Sequence, residues 1–561
     1  MRYVSRKLLL GILVFCILVS LLVADDLTDQ VDRLFASWDK ADSPGCALGV
    51  IKGGQFIYKR GYGMANLEYN LPLTPESIFR IGSTSKQFTA MCLLLLEEEG
   101  KLSLDDDIRR YLPEIPEYES PITIRHLLHH TSGIRDYLTL LSLAGERDDD
   151  FCVDGEVVEL LARQKELNFK PGEEHLYSNS GYFLLSVIVK RVTGRSMQDY
   201  AQEKIFGPLK MSRTHFHDDH NMVVKNRASG YSPGNEGGFK ICMTTLDMIG
   251  DGGIFTCVDD LLLWDRNFYH NTLGKGRQEL IDRMLTPGTL NSGEKLDYAL
   301  GLTVGDYRGL KMISHGGAFV GFRAEMIRYP EQRFSVIVLA NLAAINPTVL
   351  ARRVADIYLA DLFPETPEPA GEKPTFIDLP ESLLKEKEGI YYDSQEDQAL
   401  RIAFQEGSLY ADTFSSRFRL RPVSRTLFRS ENSRYSLSLE FEKPAGGKAA
   451  LIKVKREGEK TRIFEALPAE APGLDGLKEY EGQYFSPELQ AGYEIFLNEG
   501  ELFLRHENPY KEYPREPFVC LFKDRFQVAS VGLRFSRNRR KEVVSFAMNA
   551  GRVRNIRFFK K

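Results

Sequence analysis

The sequence predicts an α+β domain followed by two small antiparallel β-barrels, and three observations carry that prediction. Helix-like and strand-like stretches are mixed from about Leu27 to Leu362. Pro364, Pro367, Pro369, Pro374 and Pro380 then fall close together, the composition of a stiff extended linker. Beyond them the chain is strand-like and repeats itself. A chain of 561 residues exceeds the ~250–300 at which a single core stops growing. With 43% hydrophobic and 27% charged residues it is neither disordered nor a multi-span membrane protein. The net charge of −5, from 73 basic and 78 acidic residues, with no basic stripe, argues against a nucleic-acid partner.

At the start, Arg2, Arg6 and Lys7 precede an apolar run from Leu8 to Val23, and Ala24 meets Asp25-Asp26. This is the layout of a secretory signal over 1–24, which predicts a secreted or periplasmic protein. The alternative is an uncleaved anchor, the only contact with a membrane that the sequence offers. Six cysteines remain after it, and their pairing is left open.

The first domain spans 27–362. Leu27 to Trp38 reads as an amphipathic helix. Cys46–Lys52, a Gly53-Gly54 turn and Gln55–Tyr58 read as a hairpin. Phe88 to Leu96 is a nearly continuous apolar helix, and Phe334 to Leu339 is a buried strand. Helices beside an antiparallel sheet make the α+β class. A linker over 363–380 follows, then barrels over 381–466 and 474–561, separated by Pro468-Ala-Glu-Ala-Pro472. The repeat supports two barrels: Lys385–Tyr391 matches Lys478–Tyr484 at an offset of 93, as does Glu406-Gly407 with Glu499-Gly500. Leu427–Arg429 matches Leu521–Lys523, and Leu439–Phe441 matches Leu533–Phe535, both at 94. Each copy is about the size of a small closed barrel, and closure removes exposed strand edges.

Chemistry concentrates in three places. Ile81-Gly-Ser83-Thr-Ser-Lys86 opens the apolar helix, so Ser83 and Lys86 share one face, beside backbone N–H groups that favour an oxyanion. A neutral lysine takes the proton of such a serine. Three other Ser-x-x-Lys matches, beginning at Ser37, Ser292 and Ser382, open no such helix. Tyr177-Ser178-Asn179 precedes the apolar stretch Tyr182 to Val189, offering a proton shuttle and an amide to hold a substrate carbonyl. A second Tyr-x-Asn stands at Tyr269-His270-Asn271. His315-Gly316-Gly317 ends a strand-like stretch, and glycines there allow a ligand close to the backbone.

Taken in order, Ser-x-x-Lys, Tyr-x-Asn and His-x-Gly make 27–362 resemble the β-lactamase/transpeptidase-like serine hydrolases: class C β-lactamases and penicillin-binding-protein relatives. Ile124–Ile134 and Gly252-Gly253-Ile254 leading to Asp259-Asp260-Leu261 look the same way. The resemblance implies Ser83 as nucleophile, Lys86 as its base partner and Tyr177 as general acid/base. It implies Asn179, His315 and Gly317 as substrate contacts, with Ser83 and Ala318 N–H groups as the oxyanion hole. His315 stands where penicillin-recognising members carry Lys. Ser132–Tyr137 and Gly250–Ile254 are similar in particular to D-stereospecific aminopeptidases, which also carry His there and two eight-stranded barrels.

The reading is an exported serine hydrolase without cofactor or metal, acting on a small molecule or short peptide. D-amino-acid amides, peptides cut at the amino end and small esters come first; a β-lactamase or D-Ala-D-Ala carboxypeptidase is the alternative. The barrels are expected to do no chemistry and to border the active site. An acidic residue holding a free amine would come from a loop of the last barrel, with Glu507 and Glu512 candidates by position alone. Oligomeric state stays open. A competing motif, His215-Phe-His217-Asp218-Asp219-His220, fits a zinc-hydrolase signature, but it follows no buried strand and reads as a polar surface loop. A third reading, a binding protein that lost turnover, conflicts with the intact Ser83, Lys86 and Tyr177.

Overall fold

The computed structural model describes residues 26–147, 150–363, 376–394, 398–413, 416–430, 437–442, 451–456, 461–467, 473–508, 517–529 and 531–561. The signal-like segment, most of the proline-rich linker, Pro468–Pro472 and Glu512 lie outside them. The chain forms two compact units: Met1–Ile134 with Asp148–Glu159 and Phe169–Thr366, and Arg135–Arg147 with Leu160–Asn168 and Pro367–Lys561.

The first unit is built on six strands: β1 (Cys46–Lys52), β2 (Gln55–Tyr62), β3 (Thr303–Tyr307), β4 (Leu310–Phe319), β5 (Phe322–Tyr329) and β6 (Phe334–Ala340). They lie in the order β3-β4-β5-β6-β1-β2, every pair antiparallel. Five helices position the site: α1 (26–35), α2 (Lys86–Glu98), α3 (Asn179–Thr193), α4 (Val258–Asn267) and α5 (Pro347–Tyr358).

Val31 and Phe35 of α1 and Leu350 and Val354 of α5 pack on Leu48, Val50, Ile327, Val336 and Val338, covering one face of the sheet. Helix α4 covers the other face, and Gly49 of β1 makes room for it: a Cβ there would lie 2.5 Å from Val258 Cγ1. With both faces covered, β6 is buried at every position, which is why its sequence is uniformly apolar rather than alternating. A buried ion pair ties α4 to the sheet: Arg328 Nε donates to Asp265 Oδ1 at 2.8 Å, and Ser335 Oγ donates to the same oxygen. Burying such a charge without its partner is costly, so the pair fixes how α4 sits. Helix α2, buried from Lys86 to Leu96, packs on α4 through Phe88 and Trp264, ring centroids 4.4 Å apart.

In the second unit, eight strands from Gly389–Asp393 to Arg462–Ala466 form a closed antiparallel barrel, sealed where Tyr391 pairs with Ala466. Leu400, Ile402, Phe428, Leu439, Phe441 and Ile452 fill it. A second set of eight strands, from Gly482–Ser486 to Val553–Lys560, curls the same way. Its end strands, Glu501–His506 and Val519–Phe522, are joined by one backbone bond, Phe518 N–H to Leu502 O, rather than by a ladder among the described residues.

The repeat is structural as well as textual. The Tyr391 hydroxyl donates to Lys387 O and the Tyr484 hydroxyl to Tyr480 O. Glu388 accepts from Phe404 N–H as Glu481 accepts from Leu497 N–H. Two stretches within 27–362 belong to this unit. Arg135 is buried, donating to Glu488 Oε1 and Gln164 Oε1 and to the carbonyls of Arg554 and Asn555. The Tyr493 hydroxyl donates to Leu143 O.

Candidate active site

The nucleophile turn is made by a short strand, a left-handed glycine and a helix start. Phe79–Arg80 pairs with Ile254–Thr256, and Ile81 N–H donates to Ile254 O. Gly82, at φ +52°, turns the chain into a 3-10 segment, Gly82–Ser85, that runs into α2. Strand β4 passes so close that a Cβ on Gly317 would lie 1.9 Å from Ile81 O, and one on Gly82 would lie 2.9 Å from Ala318 N. No larger residue fits either position. The two glycines bring the Ala318 amide beside the Ser83 turn, where a helix start favours negative charge.

The side chains around Ser83 hold the turn from behind. Trp264 Nε1–H donates to Gln87 Oε1, Gln87 Nε2 to Thr84 O, and the Thr84 hydroxyl to His315 O. Ser85 Oγ accepts from Ile254 N–H. Ser83 alone of the four is partly exposed.

Lys86 is wholly buried. Its Nζ lies 3.2 Å from Ser83 Oγ, 3.0 Å from Asn179 Oδ1 and 2.6 Å from Asp251 O. The last two are pure acceptors. A neutral amine that gives its two N–H groups to them aims its lone pair at the Ser83 hydroxyl, the geometry of a general base. The Tyr177 ring centroid lies 4.8 Å from Nζ and that of Tyr182 5.5 Å. Asn179 opens α3 after the cap residue Ser178, whose N–H donates to His130 Nδ1. The His130 ring in turn packs on Tyr177, centroids 4.2 Å apart.

His315 sits on β4 with its ring turned inward. Nδ1 lies 2.6 Å from Gly316 O, which can only accept, so Nδ1 carries the proton. Nε2 is then a bare acceptor, and it takes the Tyr298 hydroxyl at 2.9 Å. Burial, and after it Lys86 whenever that amine is protonated, push this histidine down to about 4. Both nitrogens are engaged and the ring is neutral at pH 7.

The structure thus brings Ser83, Lys86, Tyr177, Asn179, His315, Gly317 and Ala318 to one place in the first unit. The sequence did not indicate Tyr298, nor the carbonyl of Asp251, nor the ring of Tyr182. Asp251 and His130 lie in stretches that carry the family likeness; Tyr298 lies in a loop with no pattern. The second Tyr-x-Asn serves a turn, where Asn271 Nδ2 donates to Leu273 O and Arg277 O.

Of the histidines of 215–220, His215 Nε2 and His217 Nδ1 lie 3.1 Å apart, while His220 turns away to Asp247. His215 and Phe216 pair with Ile254–Phe255, and His217 is buried against Phe255, ring centroids 4.3 Å apart. His220 Nδ1 lies 2.8 Å from Asp247 Oδ2. The surface-loop reading holds only from Asp218 on: His215–Phe216 edge a small sheet, and Phe216, His217 and Ile254 are buried there. Among the described residues no cluster of three metal-ligating side chains occurs.

A family model described as Beta-lactamase matches residues 31–360. The chain belongs to the beta-lactamase family. It is 30% identical over 418 residues to penicillin-binding protein 4* of Bacillus subtilis, covering 71% of this chain and 90% of that one. It is 29% identical over 446 residues to a D-aminopeptidase of Gluconobacter oxydans, 80% of each chain. Among solved structures, the octameric penicillin-binding protein homologue from Pyrococcus abyssi superposes with a TM-score of 0.55 at 26% identity, covering 79% of this chain and 99% of that one. This beta-lactamase family member is a serine hydrolase.

Proposed function

We propose that the protein cleaves amide or ester bonds that lack a neighbouring carboxylate: D-amino-acid amides, short peptides at the amino end, or small esters. The observation that carries this is His315. A lactam antibiotic or peptide C-terminus presents a carboxylate, which a fixed cation at this position would pair with. Here the position holds a neutral imidazole whose two nitrogens are already bonded to Tyr298 and Gly316. The likeness to a D-aminopeptidase over most of both chains supports the same choice.

In this reading Ser83 Oγ attacks the substrate carbonyl carbon while its proton passes to Lys86 Nζ. Negative charge forms on the carbonyl oxygen against the N–H groups of Ser83 and Ala318. The Tyr177 hydroxyl gives a proton to the leaving nitrogen or oxygen as the acyl bond to it breaks, and recovers one from Lys86. Water then attacks the acyl-enzyme by the same route in reverse, restoring Ser83. Asn179 aligns both Lys86 and the substrate.

Rates with a D-alanyl amide, an acetyl ester and a penicillin test the reading. The amide or the ester is expected to have the highest kcat/KM, and a penicillin above both would replace it with a β-lactamase reading. We further propose export through the 1–24 segment. N-terminal sequencing of the protein recovered from outside the cytoplasm is expected to begin at Asp25, and recovery from the cytoplasm alone would refute it.

A further inference from the structure

The end of the sheet away from Ser83 carries a second feature. Register fixes the two ends: Ala318 pairs with Arg323, Arg323 with Ala340 and Ala340 with Cys46, whereas Tyr329 pairs with Phe334 and Phe334 with Lys52. Along β6 the two ends are six residues apart, roughly 20 Å. At the far end Gly53 N–H donates to Arg333 O, so the β1–β2 and β5–β6 turns lie side by side.

These turns, the end of α4 and Pro208–Lys210 enclose an open cleft of about 440 Å³. Lys210, Arg266 and Arg333 line it, and no aspartate or glutamate does. Such a concentration runs against the net charge of −5. Among the described residues none of the three forms an ion pair. Arg266 Nε donates to Gly54 O and Nη2 to Gln55 Oε1, which hold the guanidinium in place with its charge uncompensated. Arg333 is held over the Tyr269 ring at 4.9 Å.

A buried amide stands behind the cations. Asn267 is 2% exposed and lines the cleft. Its Oδ1 accepts from Thr272 N–H at 3.0 Å, which fixes the amide orientation, and its Nδ2 has no partner. Asn267 therefore stiffens the cleft wall from behind, and the three cations alone face the opening. Another cleft in the same unit shows the contrast: its arginines, Arg125 and Arg283, are each paired with a carboxylate, Asp105 and Glu97.

We propose that the cleft lined by Lys210, Arg266 and Arg333 binds a phosphate group, free or as a lipid headgroup, apart from the hydrolytic site. A phosphate oxyanion offers acceptors to several converging N–H donors at once, with planar guanidinium groups among them.

The test uses the full-length protein at constant ionic strength. Inorganic phosphate is followed by ³¹P NMR line broadening, and co-sedimentation is measured with phosphatidylglycerol and phosphatidylcholine vesicles. Lys210→Gln with Arg333→Gln is the variant, since both side chains are exposed and neither touches the hydrolytic residues. The double variant is expected to bind about tenfold or more weakly, with ester hydrolysis unchanged. Broadening by free phosphate, or selective sedimentation with phosphatidylglycerol, supports the proposal and says which source supplies the group. Absence of both, or equal binding by wild type and variant, overturns it.

Discussion

Replacing Tyr298 with Phe removes one hydroxyl and leaves His315 Nε2 buried without its donor. The interval between 6.5 and the value of about 4 held in the fold corresponds to about 3 kcal/mol between the two protonation states. Because the folded value is depressed, the unfolded chain binds more protons between those limits. The stability tied to neutral His315 is therefore complete above pH 6.5 and is lost as pH falls towards 4. Tyr298 donates only to the neutral form, so Tyr298→Phe is expected to cost about 1–3 kcal/mol at pH 7 and progressively less below pH 5. His315 is expected to titrate higher by about one pH unit in the variant, the cost of an unsatisfied acceptor relieved by protonation. Ring nitrogen NMR across pH 3.5–8 reads the tautomer and the titration, and urea unfolding at pH 7 and 4.5 reads the energy. An unshifted titration, or a proton found on Nε2 in the wild type, would refute the argument.

Further outcomes follow from the same contacts. Arg135→Met leaves the Glu488 carboxylate buried and is expected to lower stability by about 3–5 kcal/mol in denaturant unfolding, with much of it regained by adding Glu488→Leu; a loss under about 1 kcal/mol would count against a buried ion pair. Gly317→Ala places a methyl against Ile81 O, so kcat/KM is expected to fall about 10²-fold while circular dichroism stays native; near-normal turnover would show that β4 need not approach Ser83 so closely. Tyr177→Phe is expected to slow an amide substrate about 10²–10⁴-fold but an activated ester far less, since only the amide needs its leaving group protonated; equal losses would remove Tyr177 from that role.

How far the sequence revealed all this depended on whether a feature repeats along the chain. Ser83 and Lys86 were legible because three residues on a helix return to the same face, and α2 runs from Lys86 to Glu98 around the apolar run Phe88–Leu96. The hairpin ran as expected except that its second strand continues to Tyr62. The barrel repeat was legible because Glu388 and Tyr391 do the same work in their copy as Glu481 and Tyr484 in theirs. Tyr298 was not, because its tie to His315 crosses between a loop and a strand and leaves no spacing. Asp251 contributes a carbonyl, which no residue type signals. Arg135–Arg147 gave no hint of packing with the C-terminal unit, because a buried arginine reads like a solvated one until its partners, Glu488 and Gln164, are known. His217 misled for a similar reason: polar letters dominate its surroundings, and burial came from pairing with Ile254–Phe255.

The claim on which the proposed chemistry rests is that Ser83 carries the acyl group, and intact-mass analysis after a fluorophosphonate probe tests it most directly. One adduct is expected, localised by peptide mapping to the Gly82–Lys86 turn and absent in Ser83→Ala, with labelling greatly slowed in Lys86→Met. An adduct that persists undiminished in Ser83→Ala would contradict the assignment.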